Sequence, residues 1–167
     1  YGRGYRSRLD GQWGVVDVDD CIDAARFLSD SGEVDPARIA VQGGSAGGYT
    51  TLAALAFRPG AFSAGVSYFG IGALTGFDLE THKFESRYTE HLVGPWPETR
   101  DLWRERSPIL HVERISAPML ILQGLDDKVV PPSQAEQIVA ALTAKGIPHA
   151  YLAFAGEGHG FRKAENI

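Results

Sequence analysis

Short apolar segments alternate with longer segments of helical periodicity along most of the chain. The apolar segments have the length of buried strands and read RIAVQGG, FSAGVSYFG, PMLILQG and HAYLAFAG. The helical segments lie before and between them, at residues 13–30 and in AGGYTTLAALAF and PPSQAEQIVAALTAKG. This alternation predicts an α/β fold in which a mostly parallel sheet carries helices on both faces.

The first helical segment shows a clear apolar stripe. Val15, Val18, Ile22 and Ala25 recur at spacings of three and four residues, and Gly32 suits the end of a helix. In a fold of this kind we expect functional residues at the carboxyl ends of the strands, where the loops of a parallel sheet meet.

A polar and aromatic segment from about residue 71 to residue 113 interrupts the alternation. It contains His82 and Glu85 at helical spacing, but the sequence around them offers no third ligand in a metal-site pattern. We therefore interpret the pair as part of a solvated helix face, and we predict no metal site.

The composition is that of one globular domain over residues 1–167. Of these 167 residues, 44% are hydrophobic, and the net charge is −5. The acidic balance argues against nucleic-acid binding, and the lack of a long apolar run argues against a membrane span. The single cysteine, Cys21, excludes an intrachain disulfide framework and favours a reducing, cytoplasmic location.

Both ends of the sequence suggest a fragment. The chain starts at Tyr1 without a methionine and stops at Ile167 as a helical pattern begins. We expect it to be part of a longer protein.

The segment GGSAGGYT, at residues 43–50, is compatible with two chemistries on first inspection. A phosphate-binding loop needs a lysine directly after its second glycine, and Tyr49 occupies that position. A nucleophile elbow needs Gly-x-Ser-x-Gly between a strand and a helix, and Gly43, Ser45 and Gly47 meet that requirement. We expect both glycines to lie where the turn is too tight for a side chain, and the amide of Ala46 to face a developing oxyanion.

Two later loops supply the partners that a serine nucleophile needs. The strand PMLILQG leads into Asp126 and Asp127, either of which can orient an imidazole. The strand HAYLAFAG leads into His159, which glycines flank. The order serine, aspartate, histidine is that of α/β-hydrolases, and it predicts a catalytic triad at one edge of the sheet.

Tyr68 and Phe69 end the strand that follows the elbow. Two interpretations remain open for them. They either contact the substrate beside the scissile bond and favour an apolar residue there, or they pack in the core.

Several segments resemble the catalytic domain of the prolyl oligopeptidase family of serine peptidases, in particular its acylaminoacyl-peptidase-like and dipeptidyl-peptidase-like members. They are residues 1–28, VDPARIAVQGGSAGGYTTLAAL, THKFESRY, ERSPILHV, QGLDDKVVPPSQAE and GEGHGFRKAENI. The resemblance implies a partial α/β-hydrolase fold, with Ser45 as nucleophile and His159 as general base. It selects Asp127, three residues after Gly124, as the third member, although counting from Val129 would select Asp126.

The resemblance also implies what this chain lacks. Family members carry an N-terminal β-propeller, and their first sheet strands and the loop with the second oxyanion donor precede the segment seen here. The implied substrate is a short or acylated peptide, and no cofactor is needed. An exposed sheet edge at RIAVQ could pair with another copy of the chain, which makes a homo-oligomer a further expectation. A carboxylesterase and a catalytically incompetent fragment are the alternative interpretations.

Overall fold

Four parallel strands form one sheet, and they lie side by side in the order in which they occur along the chain. The computed structural model describes residues 2–76 and 88–167. Its strands are β1 (Ala40–Gly44), β2 (Ala64–Tyr68), β3 (Met119–Gly124) and β4 (His149–Phe154). Each of them lies within a segment that the apolar pattern predicts as a strand.

Helices connect and cover these strands. The α-helices are α1 (Arg3–Arg6), α2 (Val16–Asp30), α3 (Ala46–Phe57), α4 (Tyr88–Val93), α5 (Arg100–Glu105) and α6 (Pro132–Lys145). Short 3-10 helices occur at Ser7–Leu9, Pro36–Arg38, Pro108–Arg114 and Ala164–Asn166. The helices predicted from periodicity correspond to α2, α3 and α6, whereas α4 and α5 lie in the polar and aromatic segment that interrupts the alternation. His82 and Glu85 lie outside the described residues.

The buried face of α2 follows the apolar stripe. Val18, Ile22 and Ala25 are buried. The helix begins at Val16 rather than at Trp13, because the chain first makes a turn in which the amides of Val15 and Val16 donate to the carbonyl oxygen of Gln12. At the other end Gly32 has a positive φ of 75°, a conformation that favours glycine after a helix.

The helices pack against one face of the sheet. A side chain at Gly65 of β2 would run into Leu55 of α3, so this helix lies directly on the strand. Met119 and Ile121 of β3 are buried on the same face and belong to the hydrophobic core. Both α3 and α6 contact the 3-10 helix Pro108–Arg114, which completes the layer.

The parallel sheet and the α/β class are confirmed, but helices on both faces are not found among residues 2–76 and 88–167. Leu152 of β4 points to the opposite face and is 46% exposed, and Val66 and Leu120 are only partly buried there. The strand order explains this result. Right-handed crossovers that always step to the next strand in the same direction leave every connecting helix on one side.

The register aligns the carboxyl ends of the strands. Gly44, the last residue of β1, pairs with Tyr68 at the end of β2, and Tyr68 pairs with Leu122 of β3. Gly124, the last residue of β3, pairs with Phe154 at the end of β4. The loops that follow the four strands therefore open on the same edge, which is where ligands bind in sheets of this type.

Candidate active site

Ser45 occupies the turn between β1 and α3. Its backbone has a φ of 56° and a ψ of −118°, a conformation that residues other than glycine rarely adopt. The Ser45 amide donates to the carbonyl oxygen of Tyr68 at 2.9 Å, which fixes the turn to the end of β2. Strain of this kind persists only where surrounding contacts hold it, and it concentrates at functional sites.

The glycines around Ser45 differ in whether a side chain would fit at their positions. A β-carbon at Gly43 would overlap the carbonyl oxygen of Gly47, so the tight turn does require glycine there. The same expectation for Gly47 is wrong, because a β-carbon built on it meets nothing within 4 Å. The crowded position on the helix is Gly48, where a β-carbon would lie 2.7 Å from the α-carbon of Gly70.

Ser45, His159 and Asp127 form a continuous hydrogen-bonded row. The Ser45 Oγ lies 2.8 Å from Nε2 of His159, and Nδ1 of His159 lies 2.8 Å from Oδ2 of Asp127. Each residue follows a different strand, namely β1, β4 and β3. The structure therefore brings together the three side chains that the sequence predicts as a triad.

Asp127 is held more firmly than a surface carboxylate. Its side chain is fully buried, and its Oδ1 accepts hydrogen bonds from the amides of Val129 and Val130, each at 2.9 Å. Burial by itself raises the pKa of Asp127, but the hydrogen bonds from His159, Val130 and Val129 outweigh it and leave the pKa below its usual value. The carboxylate is therefore ionised, and the proton of the neutral imidazole lies on Nδ1.

Asp126 has a different environment. It is exposed, and its amide donates to the carbonyl oxygen of Glu157 at 2.8 Å. Of the two adjacent aspartates, it is Asp127 whose carboxylate lies within hydrogen-bonding distance of His159.

Ala46 is the first residue of α3. Its amide therefore has no acceptor within the helix, and the helix N-terminus favours negative charge at this position. These features suit an oxyanion donor, and that role stays a prediction.

A small cavity of about 130 Å³ opens beside Ser45. Its lining is mostly apolar and consists of Leu9, Trp13, Ser45, Ala46, Ile71, Tyr88, Thr89, Leu92 and Val130. Most of these residues could not be assigned from the sequence, because they come from distant segments without a shared pattern. Ser45 and Ala46 were predicted from the elbow motif, and Val130 could have been found from its place three residues after Asp127.

Tyr68 and Phe69 are not among the residues that line this cavity. The ring of Phe69 lies 4.7 Å from the imidazole of His159, and the ring of Tyr68 lies 6.3 Å from that of Phe161. Phe69 also has a positive φ of 40°. Contact of these two residues with substrate stays a prediction, and the structure places Phe69 against the histidine.

Among residues 2–76 and 88–167, no cluster of three or more His, Cys, Asp or Glu side chains is arranged to hold a metal ion. Within the same ranges, no helix combines the length and apolar character needed to cross a bilayer.

Comparison with known proteins identifies the family. Dipeptidyl aminopeptidase BIII of Pseudoxanthomonas mexicana is 35% identical over 171 residues, which cover 99% of this chain and 25% of that protein. The acylamino-acid-releasing enzyme of Arabidopsis thaliana is 32% identical over 169 residues, which cover 95% of this chain and 22% of that protein. The solved structure of a puromycin-hydrolyzing peptidase of Mycobacterium tuberculosis superposes with a TM-score of 0.97 and 55% identity, over 99% of this chain and 25% of its own.

The chain thus spans about a quarter of the length of the curated relatives it matches. A sequence model described as the prolyl oligopeptidase family matches residues 1–167. This match covers all 167 residues and confirms the family resemblance that the motifs indicate. The chain belongs to the prolyl oligopeptidase family.

Proposed function

We propose that the protein containing this chain is a serine peptidase that hydrolyses short or acylated peptides through an acyl-enzyme on Ser45. The observation that carries this proposal is the hydrogen-bonded row from Ser45 Oγ through His159 to Asp127, with both distances at 2.8 Å. A hydroxyl in this position can lose its proton as it attacks a carbonyl carbon.

The first half of the reaction is acylation. His159 Nε2 takes the proton of Ser45 while Oγ attacks the carbonyl carbon of the scissile amide. The ionised Asp127 holds the imidazole in the tautomer that leaves Nε2 free to accept, and it stabilises the imidazolium that forms. His159 then gives the proton to the departing amine, and the acyl group remains on Ser45.

The negative charge that develops on the carbonyl oxygen needs donors. We assign one of them to the amide of Ala46, at the N-terminus of α3. In the second half of the reaction, His159 takes a proton from water, the resulting hydroxide equivalent attacks the ester, and Ser45 recovers its proton as the acid product leaves.

The cavity beside Ser45 suggests what the substrate carries next to the scissile bond. It is small and mostly apolar, and none of the described residues that line it carries a charged side chain. We therefore propose that it receives an apolar side chain of the acyl half of the substrate. The names of the relatives, a dipeptidyl aminopeptidase, an acylamino-acid-releasing enzyme and a puromycin-hydrolyzing peptidase, guide the choice of test substrates.

The test uses the full-length protein and its Ser45→Ala variant. Dipeptidyl anilides, acyl-amino-acid anilides, puromycin and a simple aryl ester are compared as substrates. We expect amide hydrolysis and stoichiometric labelling by a fluorophosphonate probe, and we expect both to be lost in Ser45→Ala. Ser116→Ala, at an exposed position, is the matched control and retains both.

Two results would count against the proposal. Hydrolysis of the aryl ester without turnover of any amide would identify an esterase. Full amide hydrolysis by Ser45→Ala would show that the nucleophile is elsewhere.

A further inference from the structure

The loop that carries His159 is rich in glycine. Gly158 and Gly160 flank the histidine, and Gly160 has a positive φ of 95°. Glycines lose more conformational entropy on ordering than other residues, so a fixed imidazole requires contacts from elsewhere. We propose that Glu157 is the positioning residue that holds His159 in reach of Ser45 and Asp127, an inference that rests on the proposed function.

The buried side chain of Glu157 binds the segment that follows the His159 loop. This residue is only 2% exposed. Its Oε2 accepts from the amide of Arg162 at 3.0 Å, and its Oε1 accepts from the amide of Lys163 at 2.9 Å and from Nδ2 of Asn166 at 2.7 Å. One carboxylate therefore binds three donors on the far side of His159.

The backbone of Glu157 fixes the near side of the same loop. Its carbonyl oxygen accepts from the amide of Asp126 at 2.8 Å. Its carbonyl carbon lies 2.8 Å from the place where a β-carbon of Gly124 would be, so the loop rests directly on the end of β3. This anchor is adjacent to the turn that holds Asp127.

The carboxylate and the backbone carbonyl group of Glu157 both restrain the loop that carries His159. Residues 158–161 run from the backbone anchor at Glu157 to the amide of Arg162, which the Glu157 carboxylate binds. His159 lies within this closed ring, two residues from Glu157. The position of the imidazole relative to Asp127 therefore depends on the Glu157 side chain, although that side chain contacts neither Ser45 nor His159.

A carboxylate suits this role better than an amide. The hydrogen bond from Asn166 is the largest cause that lowers the pKa of Glu157, and the amides of Lys163 and Arg162 lower it further. Together they outweigh the opposing effect of burial and leave the pKa below its usual value. The ionised group has acceptors on both oxygens, as the three donors require. A glutamine would turn an NH₂ group toward at least one of these donors, and an alanine would leave all three without their acceptor.

The experiment compares Glu157→Gln and Glu157→Ala with the unmodified full-length protein. The matched control is Glu165→Gln, which changes an exposed carboxylate in the neighbouring 3-10 helix. The measurements are kcat per fluorophosphonate-titrated site, KM, the rate of inactivation by the probe, and urea unfolding. Asn166→Ala, which removes one donor only, gives a milder second test.

We expect kcat per titrated site to fall about 100-fold in Glu157→Ala, because a misplacement of the base by about 1 Å can cost that factor. In Glu157→Gln, which keeps one acceptor oxygen, we expect a smaller loss of about 10-fold. The rate of probe inactivation should fall in parallel, and KM should stay within about twofold. In Asn166→Ala we expect a loss of about threefold in kcat, and none in Glu165→Gln.

Two outcomes would overturn the inference while leaving the proposed function intact. One is a Glu157→Gln or Asn166→Ala protein with unchanged kcat per titrated site. The other is a loss that appears only as fewer titratable sites, which would indicate a purely structural role. Failure of the proposed function has a different signature, since it would show as activity retained by Ser45→Ala.

Discussion

The amide of Val130 donates to Oδ1 of Asp127 at 2.9 Å, and Val130 also lines the cavity beside Ser45. One turn therefore holds the carboxylate that faces His159 and also a wall of the proposed substrate cavity. The two oxygens of Asp127 divide these tasks, because Oδ1 binds the turn and Oδ2 faces the imidazole. Substitutions at Asp127 can separate the two effects.

We predict different kinetics for Asp127→Asn and Asp127→Ala. Asparagine keeps an oxygen for the amides of Val129 and Val130, but it presents an NH₂ group to Nδ1 of His159 and so favours the wrong tautomer. We expect kcat to fall about 10³- to 10⁴-fold with little change in KM. Alanine also releases the turn, so KM should rise as well. Steady-state kinetics on one anilide measure both constants.

Asp126→Asn is the matched control for this pair. Asp126 is exposed, and it is its amide that donates to the carbonyl oxygen of Glu157. The kcat of the Asp126→Asn variant should stay close to that of the unmodified protein. A loss at Asp126 comparable to that at Asp127 would contradict our assignment.

The pKa of Asp127 predicts how stability depends on pH. The folded pKa lies below the ordinary value of about 4, so the ionised carboxylate stabilises the fold above about pH 4. This contribution is lost as the pH falls through the lower, folded pKa. The difference in unfolding free energy between the unmodified protein and Asp127→Asn should therefore be larger at about pH 6 than at about pH 3. Urea titrations at both pH values test this, and a difference that grows on acidification would contradict it.

We predict that Val130→Phe changes specificity. Val130 is fully buried, and a larger ring at this position must occupy the cavity beside Ser45. Substrates with a large apolar residue before the scissile bond should lose at least about 10-fold in kcat/KM relative to those with alanine there, roughly the discrimination that a hydrophobic pocket gives for one side-chain change. Val34→Phe, at a partly exposed site, is the control and should leave the ratio unchanged. An unchanged ratio in Val130→Phe would show that this cavity does not receive the substrate side chain.

The elbow glycines should respond differently to alanine. Gly47→Ala adds a methyl group that meets no atom within 4 Å other than its chain neighbours and the adjacent helix backbone, and it removes a glycine from a helix. The stability of this variant should therefore be unchanged or higher by about 0.5 to 1 kcal/mol. Gly43→Ala must displace the backbone at Gly47, and we expect a loss of at least about 1 to 3 kcal/mol. Thermal unfolding of both variants measures the contrast, and equal losses would refute it.

Local patterns were enough to predict the four strands, and to place Ser45, His159 and one of two adjacent aspartates at the same edge of the sheet. The four apolar segments gave β1 to β4, and the motif around Ser45, with the loops of Asp127 and His159, gave the row of hydrogen bonds. This works because parallel strands bring the loops at their carboxyl ends to one edge. The choice between Asp126 and Asp127 needed the family pattern, since both residues follow β3 at nearly the same distance.

Other features depend on contacts between distant segments. Leu9, Trp13 and Tyr88 meet at the cavity without a shared motif, so no periodicity could have grouped them. The exposed face of the sheet follows from strand order, which the sequence pattern does not encode. Whether a side chain fits at Gly47 depends on the direction of a single Cα–Cβ bond.

The hydrogen bond between Ser45 and His159 joins residues 114 positions apart. Closing so long a loop is costly in entropy and cannot precede the docking of β4 beside β3. The Ser45 hydroxyl therefore has no base until β4 lies beside β3. Reactivity of Ser45 toward a phosphonate therefore reports that β4 has joined the sheet.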